Sequence, residues 1–220
     1  MKKIGIFGGT FNPIHYAHLI IADRALHQYD LDQVIFLPTG HTPHKSYMGE
    51  EMTVHRCRMT ELAIARNDGF SIDYYEIENP GTNYTYLTLE EFHRREPDAE
   101  LYFIIGGDSL ADFDKWKRVD RICELARILV AVRDSVDEAD LNARFAGLRQ
   151  QYGDRFFPID TPNYSVSSKG LRTRMAEGKT IRYMVPDEVL AYIRENNLYQ
   201  VDIPVEEWPD HQNNDAESGS

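Results

Sequence analysis

Two histidines three residues apart, His15 and His18, follow the turn-forming run Gly8-Gly9-Thr10-Phe11-Asn12-Pro13. Ahead of the glycines stands the apolar run Ile4-Gly5-Ile6-Phe7, and behind the histidines a helical pattern begins. A strand, a tight glycine turn and a helix start together set backbone N–H groups and the positive end of a helix dipole under a phosphate. Histidines at i and i+3 share a helix face and point where that dipole favours an anion. The same pair could pack together or ligate a metal. A metal reading lacks a third ligand at local spacing and lacks the HExxH order. Phosphate contact is therefore the expectation, although the turn is neither a GxGxxG fingerprint nor a GxxxxGK[ST] loop.

Other residues with chemistry to offer lie far along the chain. Lys45 is a lone basic residue in a long loop, Thr39 to Gly49, that also holds His41 and His44. Asp108 follows an apolar run and two glycines, Gly106 and Gly107. A carboxylate there suits ribose hydroxyls or a hydrated Mg²⁺, with a helix cap as the competing reading. Ser167 and Ser168 open a helix, with Arg172 one turn on. Either serine alone reads as an N-cap; the pair with Arg172 reads as an anion clamp. Arg56 could face solvent or pair with an acid. Trp116 has charged neighbours (Asp114, Lys115, Lys117, Arg118), which fits a stacking platform at the surface.

The elements that must position these residues are legible from periodicity. Strands are expected at 3–7, 34–37, 70–77, 101–105, 128–132 and 156–159. Helices are expected at 14–29, 53–66, 84–95, 119–125, 137–152 and 168–177, and a last one begins at Pro186, a residue suited to a first helical turn. Strand and helix alternate at least five times, so the fold class is α/β, a doubly wound parallel sheet with C-terminal helices. Such sheets bind ligands beyond the carboxyl ends of their strands. The glycine turn, the Thr39 to Lys45 loop, Gly106 to Asp108 and Tyr164 to Ser168 would then share one rim.

Composition narrows the partners. Among 220 residues, 36 acids against 24 bases give a net charge of −12. Residues 201–220 hold six acids and no Lys or Arg, and read as an acidic, disordered tail behind a single domain, 1–200. A basic nucleic-acid footprint is missing, and no apolar run approaches the length of a membrane span. Cys57 and Cys123 lack CxxC partners and read as buried free thiols of a cytoplasmic protein. The sequence leaves the oligomeric state open, a homo-oligomer included.

Gly8-Gly9-Thr10-Phe11-Asn12-Pro13 followed by His15-Tyr16-Ala17-His18 resembles the GTFxPxHxGH signature of the nucleotidyltransferase superfamily. Later positions are similar to its bacterial nicotinate-nucleotide adenylyltransferase branch. Thr42-Pro43-His44-Lys45 resembles the branch's PPHK loop, and Arg56 sits in the arginine-bearing helix after it. Asn83-Tyr84-Thr85 resembles SYT. Gly106-Gly107-Asp108-Ser109, with Trp116 shortly after, resembles GxD, and Val166-Ser167-Ser168-Lys169-Gly170-Leu171-Arg172 resembles ISSTxxR. Ala17, Asn83 and Lys169 depart from the pattern, and Lys169 inherits no role.

The resemblance implies transfer of AMP from ATP to nicotinate mononucleotide, giving deamido-NAD and pyrophosphate, with Mg²⁺ held mainly by phosphates. It implies His18 and His15 as catalytic residues, and Gly8, Gly9, Thr10, Phe11, Lys45, Gly106, Asp108, Ser167, Ser168 and Arg172 around the ATP phosphates. Tyr84, Thr85 and Trp116 would hold the pyridine ring. The alternatives are another acceptor (nicotinamide mononucleotide or phosphopantetheine) or a non-catalytic nucleotide sensor of the same fold.

Overall fold

Runs of Ile, Val, Leu and Phe that are apolar at every position demand burial on both faces, and that is what the chain builds. The computed structural model describes residues 1–40, 49–79, 81–131, 138–162 and 164–199, with the backbone alone at Asp108 and 138–141. Lys45 and the acidic tail 201–220 lie outside the described residues. The strands are β1 (Lys3–Gly9), β2 (Gln33–Pro38), β3 (Phe70–Ile72), β4 (Glu100–Gly106), β5 (Ala126–Ala131) and β6 (Phe156–Ile159). They form one parallel sheet in the order β3-β2-β1-β4-β5-β6. The expected doubly wound α/β architecture is therefore the observed one, with the order reversing between β1 and β4.

The helices are α1 (Tyr16–Gln28), α2 (Glu50–Ile64), α3 (Tyr75–Glu78), α4 (Thr85–Arg95), α5 (Gly107–Ala111), α6 (Val119–Leu125), α7 (Glu138–Tyr152), α8 (Ser168–Ala176) and α9 (Asp187–Glu195). Alternate strand residues feed two separate cores. Phe7, Phe36, Tyr102 and Ile104 pack with Met59, Val189 and Ile193 of α2 and α9. Ile6, Leu37, Phe103 and Ile105 pack on the other face with Leu89, Phe92 and Ile122 of α4 and α6. Each such large side chain contributes about 1.5–3 kcal/mol when buried.

One expected element is corrected. The strand read at 70–77 stops at Ile72. The Asp73 carboxylate accepts the Tyr75 N–H at 2.8 Å and turns the chain into α3. Of the described helices, none is long and apolar enough to cross a membrane. Both cysteines are free and buried, and burial pushes the Cys123 thiol up to about 12.

Candidate active site

The turn after β1 is built by close packing. A Cβ on Gly9 would lie 2.6 Å from the Phe11 ring, so only glycine lets that ring fold back onto the strand end. Phe11 is buried with a left-handed φ of 48°. Thr39 at the end of β2 donates its N–H to the Gly9 carbonyl at 2.9 Å and ties two rim loops together.

His15 is the N-cap of α1, one residue ahead of the helix. Its backbone N–H donates to Nδ1 of His18 at 3.2 Å, and the His18 N–H donates to the His15 carbonyl at 2.9 Å. The two rings stack with centroids 3.7 Å apart, and the Phe11 ring meets His18 edge-on at 5.1 Å. His15 is 2% exposed while His18 is only half-buried, so His18 is the ring more open to a ligand. The first turn of α1 holds no acidic side chain to compete with an anion.

The segment opening α8 reaches the same turn from 155 to 160 residues along the chain. Ser168 Oγ donates to the Pro13 carbonyl at 2.9 Å, and Arg172 Nη1 to the Asn12 carbonyl at 2.7 Å. The Tyr199 hydroxyl donates to the Asn12 side-chain oxygen. Ser167 is the N-cap of α8, accepting the Gly170 N–H at 3.1 Å, which is the cap reading the sequence allowed. The guanidinium of Arg172 keeps further N–H donors beyond the one on Asn12.

Arg56 is neither exposed nor hydrogen-bonded to an acid. It is 2% exposed and donates from Nη1 to the Thr10 carbonyl at 3.0 Å and from Nη2 to the Thr39 carbonyl at 2.5 Å. Its one guanidinium clamps the loops after β1 and β2, and burial pulls its pKa down. The sequence carried a signal for this: Arg56 shares the buried stripe of α2 with Met59, Thr60 and Ile64. Asn83, at the position resembling a family serine, is also structural. Its Nδ2 donates to the Glu76 carbonyl at 2.8 Å.

The residues expected to hold the acceptor lie close to the turn after β1. A Cβ on Gly8 would contact the Phe103 ring at 3.7 Å, and that ring meets Trp116 edge-on with centroids 6.2 Å apart. Trp116 is half-buried against Phe113 at 5.0 Å, more embedded than a free surface platform. Lys117 Nζ sits 4.5 Å from the centroid of the Tyr84 ring, so the segment after Trp116 touches the N-cap residue of α4. Thr85 follows as the first residue of α4. At the end of β4, a Cβ on Gly106 would meet no atom of the described residues within 4 Å. The pairing of Phe7 with Ile104 brings the ends of β1 and β4 to one edge.

Among the described residues, no group of three His, Cys, Asp or Glu side chains could cage a metal.

A model of the cytidylyltransferase-like family matches residues 6–174. A relative from Lachnoclostridium phytofermentans, named probable nicotinate-nucleotide adenylyltransferase, is 41% identical over 199 residues, covering 90% of this chain and 100% of its own length. A relative of the same name from Thermomicrobium roseum is 42% identical over 202 residues, covering 91% and 92%. In fold, the chain is similar to Plasmodium falciparum nicotinic acid mononucleotide adenylyltransferase complexed with NaAD. The TM-score is 0.72 at 22% identity, covering 90% of this chain and 98% of that one.

Proposed function

This chain belongs to the cytidylyltransferase-like family, and from that premise we propose that it transfers the adenylyl group of ATP to nicotinate mononucleotide. The observation that carries the reading is the joining of two distant segments at the switch point of the sheet. Arg172 and Ser168 dock on Asn12 and Pro13, one short turn from His18. Relatives about 40% identical over nearly their full length support the acceptor.

The acceptor's phosphate oxygen attacks the α-phosphorus of ATP, the bond to the bridging α–β oxygen breaks, and pyrophosphate leaves. The nucleophile is already an anion, so the protein needs no base. It needs alignment and donors aimed at developing charge. His18 supplies one such donor. Its Nδ1 is occupied as an acceptor, so the neutral ring carries its proton on Nε2 and presents that N–H to the α-phosphate. His15, stacked behind it, fixes the ring plane and lies by the outer phosphates. Thr10 and the N–H groups of Gly8, Gly9 and Phe11 cradle the phosphates, with Gly106 leaving space for the nucleotide. Arg172 extends its remaining N–H donors toward the β- and γ-phosphates while Ser168 holds the segment on the Pro13 carbonyl, and Lys45 adds a positive charge.

Mg²⁺, held mainly by phosphates and water, would neutralise phosphate charge when bound, and Asp108 would serve either the ribose hydroxyls or that ion. Trp116 stacks on the pyridine ring, with Tyr84 and Thr85 beside it. The test is product identity. ATP, Mg²⁺ and nicotinate mononucleotide should yield a dinucleotide with the mass of deamido-NAD; ATP left intact would contradict the reading.

A further inference from the structure

Resting on the function proposed above, we propose that the side chain of Lys117 selects an acidic pyridine ring over its neutral amide. The segment from Asp112 to Arg121 carries four cations, and three of them are already paired. Lys115 Nζ lies 2.5 Å from Asp112, Arg118 lies 3.5 Å from Asp120, and Arg121 bridges Glu90 at 2.8 Å and Glu124 at 2.9 Å. Lys117 alone of the four makes no ion pair among the described residues. Its ammonium is held over the Tyr84 ring, 4.5 Å from the centroid.

That position matters because the contact joins the two walls assigned to the acceptor. Lys117 directly follows Trp116, and Tyr84 directly precedes Thr85. The ring quadrupole holds the ammonium without neutralising it, and an ammonium has three N–H donors to offer. A carboxylate and a carboxamide on the same ring have nearly the same shape. Packing against Trp116 cannot tell them apart, whereas an uncompensated positive charge favours only the anion. Arg118 lies over the neighbouring Tyr86 ring at 5.8 Å, but its charge already faces Asp120. Lys117 is exposed, so the selection it provides is screened by salt.

The experiment measures kcat/KM with nicotinate mononucleotide and with nicotinamide mononucleotide in the wild type, Lys117→Met and Lys117→Arg. In Lys117→Met the acid-to-amide ratio should fall roughly three- to tenfold, through a higher KM for the acid. Turnover number and the KM for ATP should hold. Lys117→Arg should restore most of the ratio, and raising the salt should lower the ratio in the wild type but not in Lys117→Met. An unchanged ratio, or an equal rise in KM for both acceptors, would overturn the role of Lys117 while leaving adenylyl transfer in place. A wild type that turns over neither acceptor would overturn the function and this inference together.

Discussion

The backbone N–H of His15 donates to Nδ1 of His18 at 3.2 Å, which makes a main-chain group the keeper of a side chain's tautomer. With Nδ1 accepting, the proton of the neutral ring belongs on Nε2, the atom that the proposed reaction directs at a phosphate. Removing the ring removes that donor and leaves the helix cap backbone in place. His18→Ala should lower kcat roughly 100- to 1000-fold, the scale of losing one transition-state donor, with an unchanged circular dichroism spectrum. Nitrogen-15 NMR of the wild type should show an unprotonated Nδ1 and a protonated Nε2. The reverse tautomer, or full turnover in the variant, would remove His18 from its role.

Arg56 provides a second test, of architecture. Both of its carbonyl partners, Thr10 and Thr39, lie on rim loops, and a lysine ammonium is a single point without the planar fork that spans them. Arg56→Lys should cost about 2–4 kcal/mol in urea unfolding, because the ammonium cannot span both carbonyls and one loses its charged donor inside the protein. The surviving folded enzyme should show a raised KM for ATP. Wild-type stability in Arg56→Lys would mean the clamp is not needed.

Two glycines at the same rim should respond in opposite ways. At Gly9 a methyl group collides with the Phe11 ring, so Gly9→Ala should lose about 1–3 kcal/mol of stability. At Gly106 a methyl group meets nothing among the described residues, so Gly106→Ala should unfold within about 0.5 kcal/mol of the wild type. Its defect should appear only with nucleotide, as a raised KM for ATP. Equal affinity for ATP in Gly106→Ala and wild type would place the nucleotide elsewhere.

Much of this arrangement is legible in the chain itself. Apolar runs such as Leu101 to Ile105 announce buried parallel strands, and the Gly8 to His18 stretch announces a tight turn from strand into helix. The strand wrongly extended through Tyr74 to Ile77 failed for a local reason: aromatic and β-branched residues favour a strand, but the Asp73 side chain captures the Tyr75 N–H. Arg56, expected at the surface or beside an acid, is buried: its helical stripe carried that signal, but its carbonyl partners come from two other loops and no local pattern shows them. The contact of Tyr199 with Asn12 joins the two ends of the domain, and no local pattern announces it.

Glu76 gives the fold a pH dependence with a definite sign. It is buried, accepts Thr88 Oγ1 at 2.9 Å and the Gly40 N–H at 3.4 Å, and lies near Arg56. Burial dominates and holds its pKa above the usual glutamate range, against the opposing pull of those three partners. A carboxyl that holds its proton more tightly when folded contributes its full stability below the unfolded pKa, and loses it as pH rises through the folded value. Melting temperatures of wild type and Glu76→Gln, compared from about pH 4 to about pH 8, should shift in favour of the variant as pH rises. A difference that is flat, or that grows in favour of the wild type, would contradict the assignment.

A rim that aligns ATP with a pyridine mononucleotide must make pyrophosphate release depend on the acceptor. Initial rates of release test this, with ATP and Mg²⁺ fixed and the acceptor varied among nicotinate mononucleotide, nicotinamide mononucleotide, phosphopantetheine and none. The largest kcat/KM is expected for nicotinate mononucleotide, with background release without an acceptor. Release that is independent of acceptor, or fastest with phosphopantetheine, would contradict it.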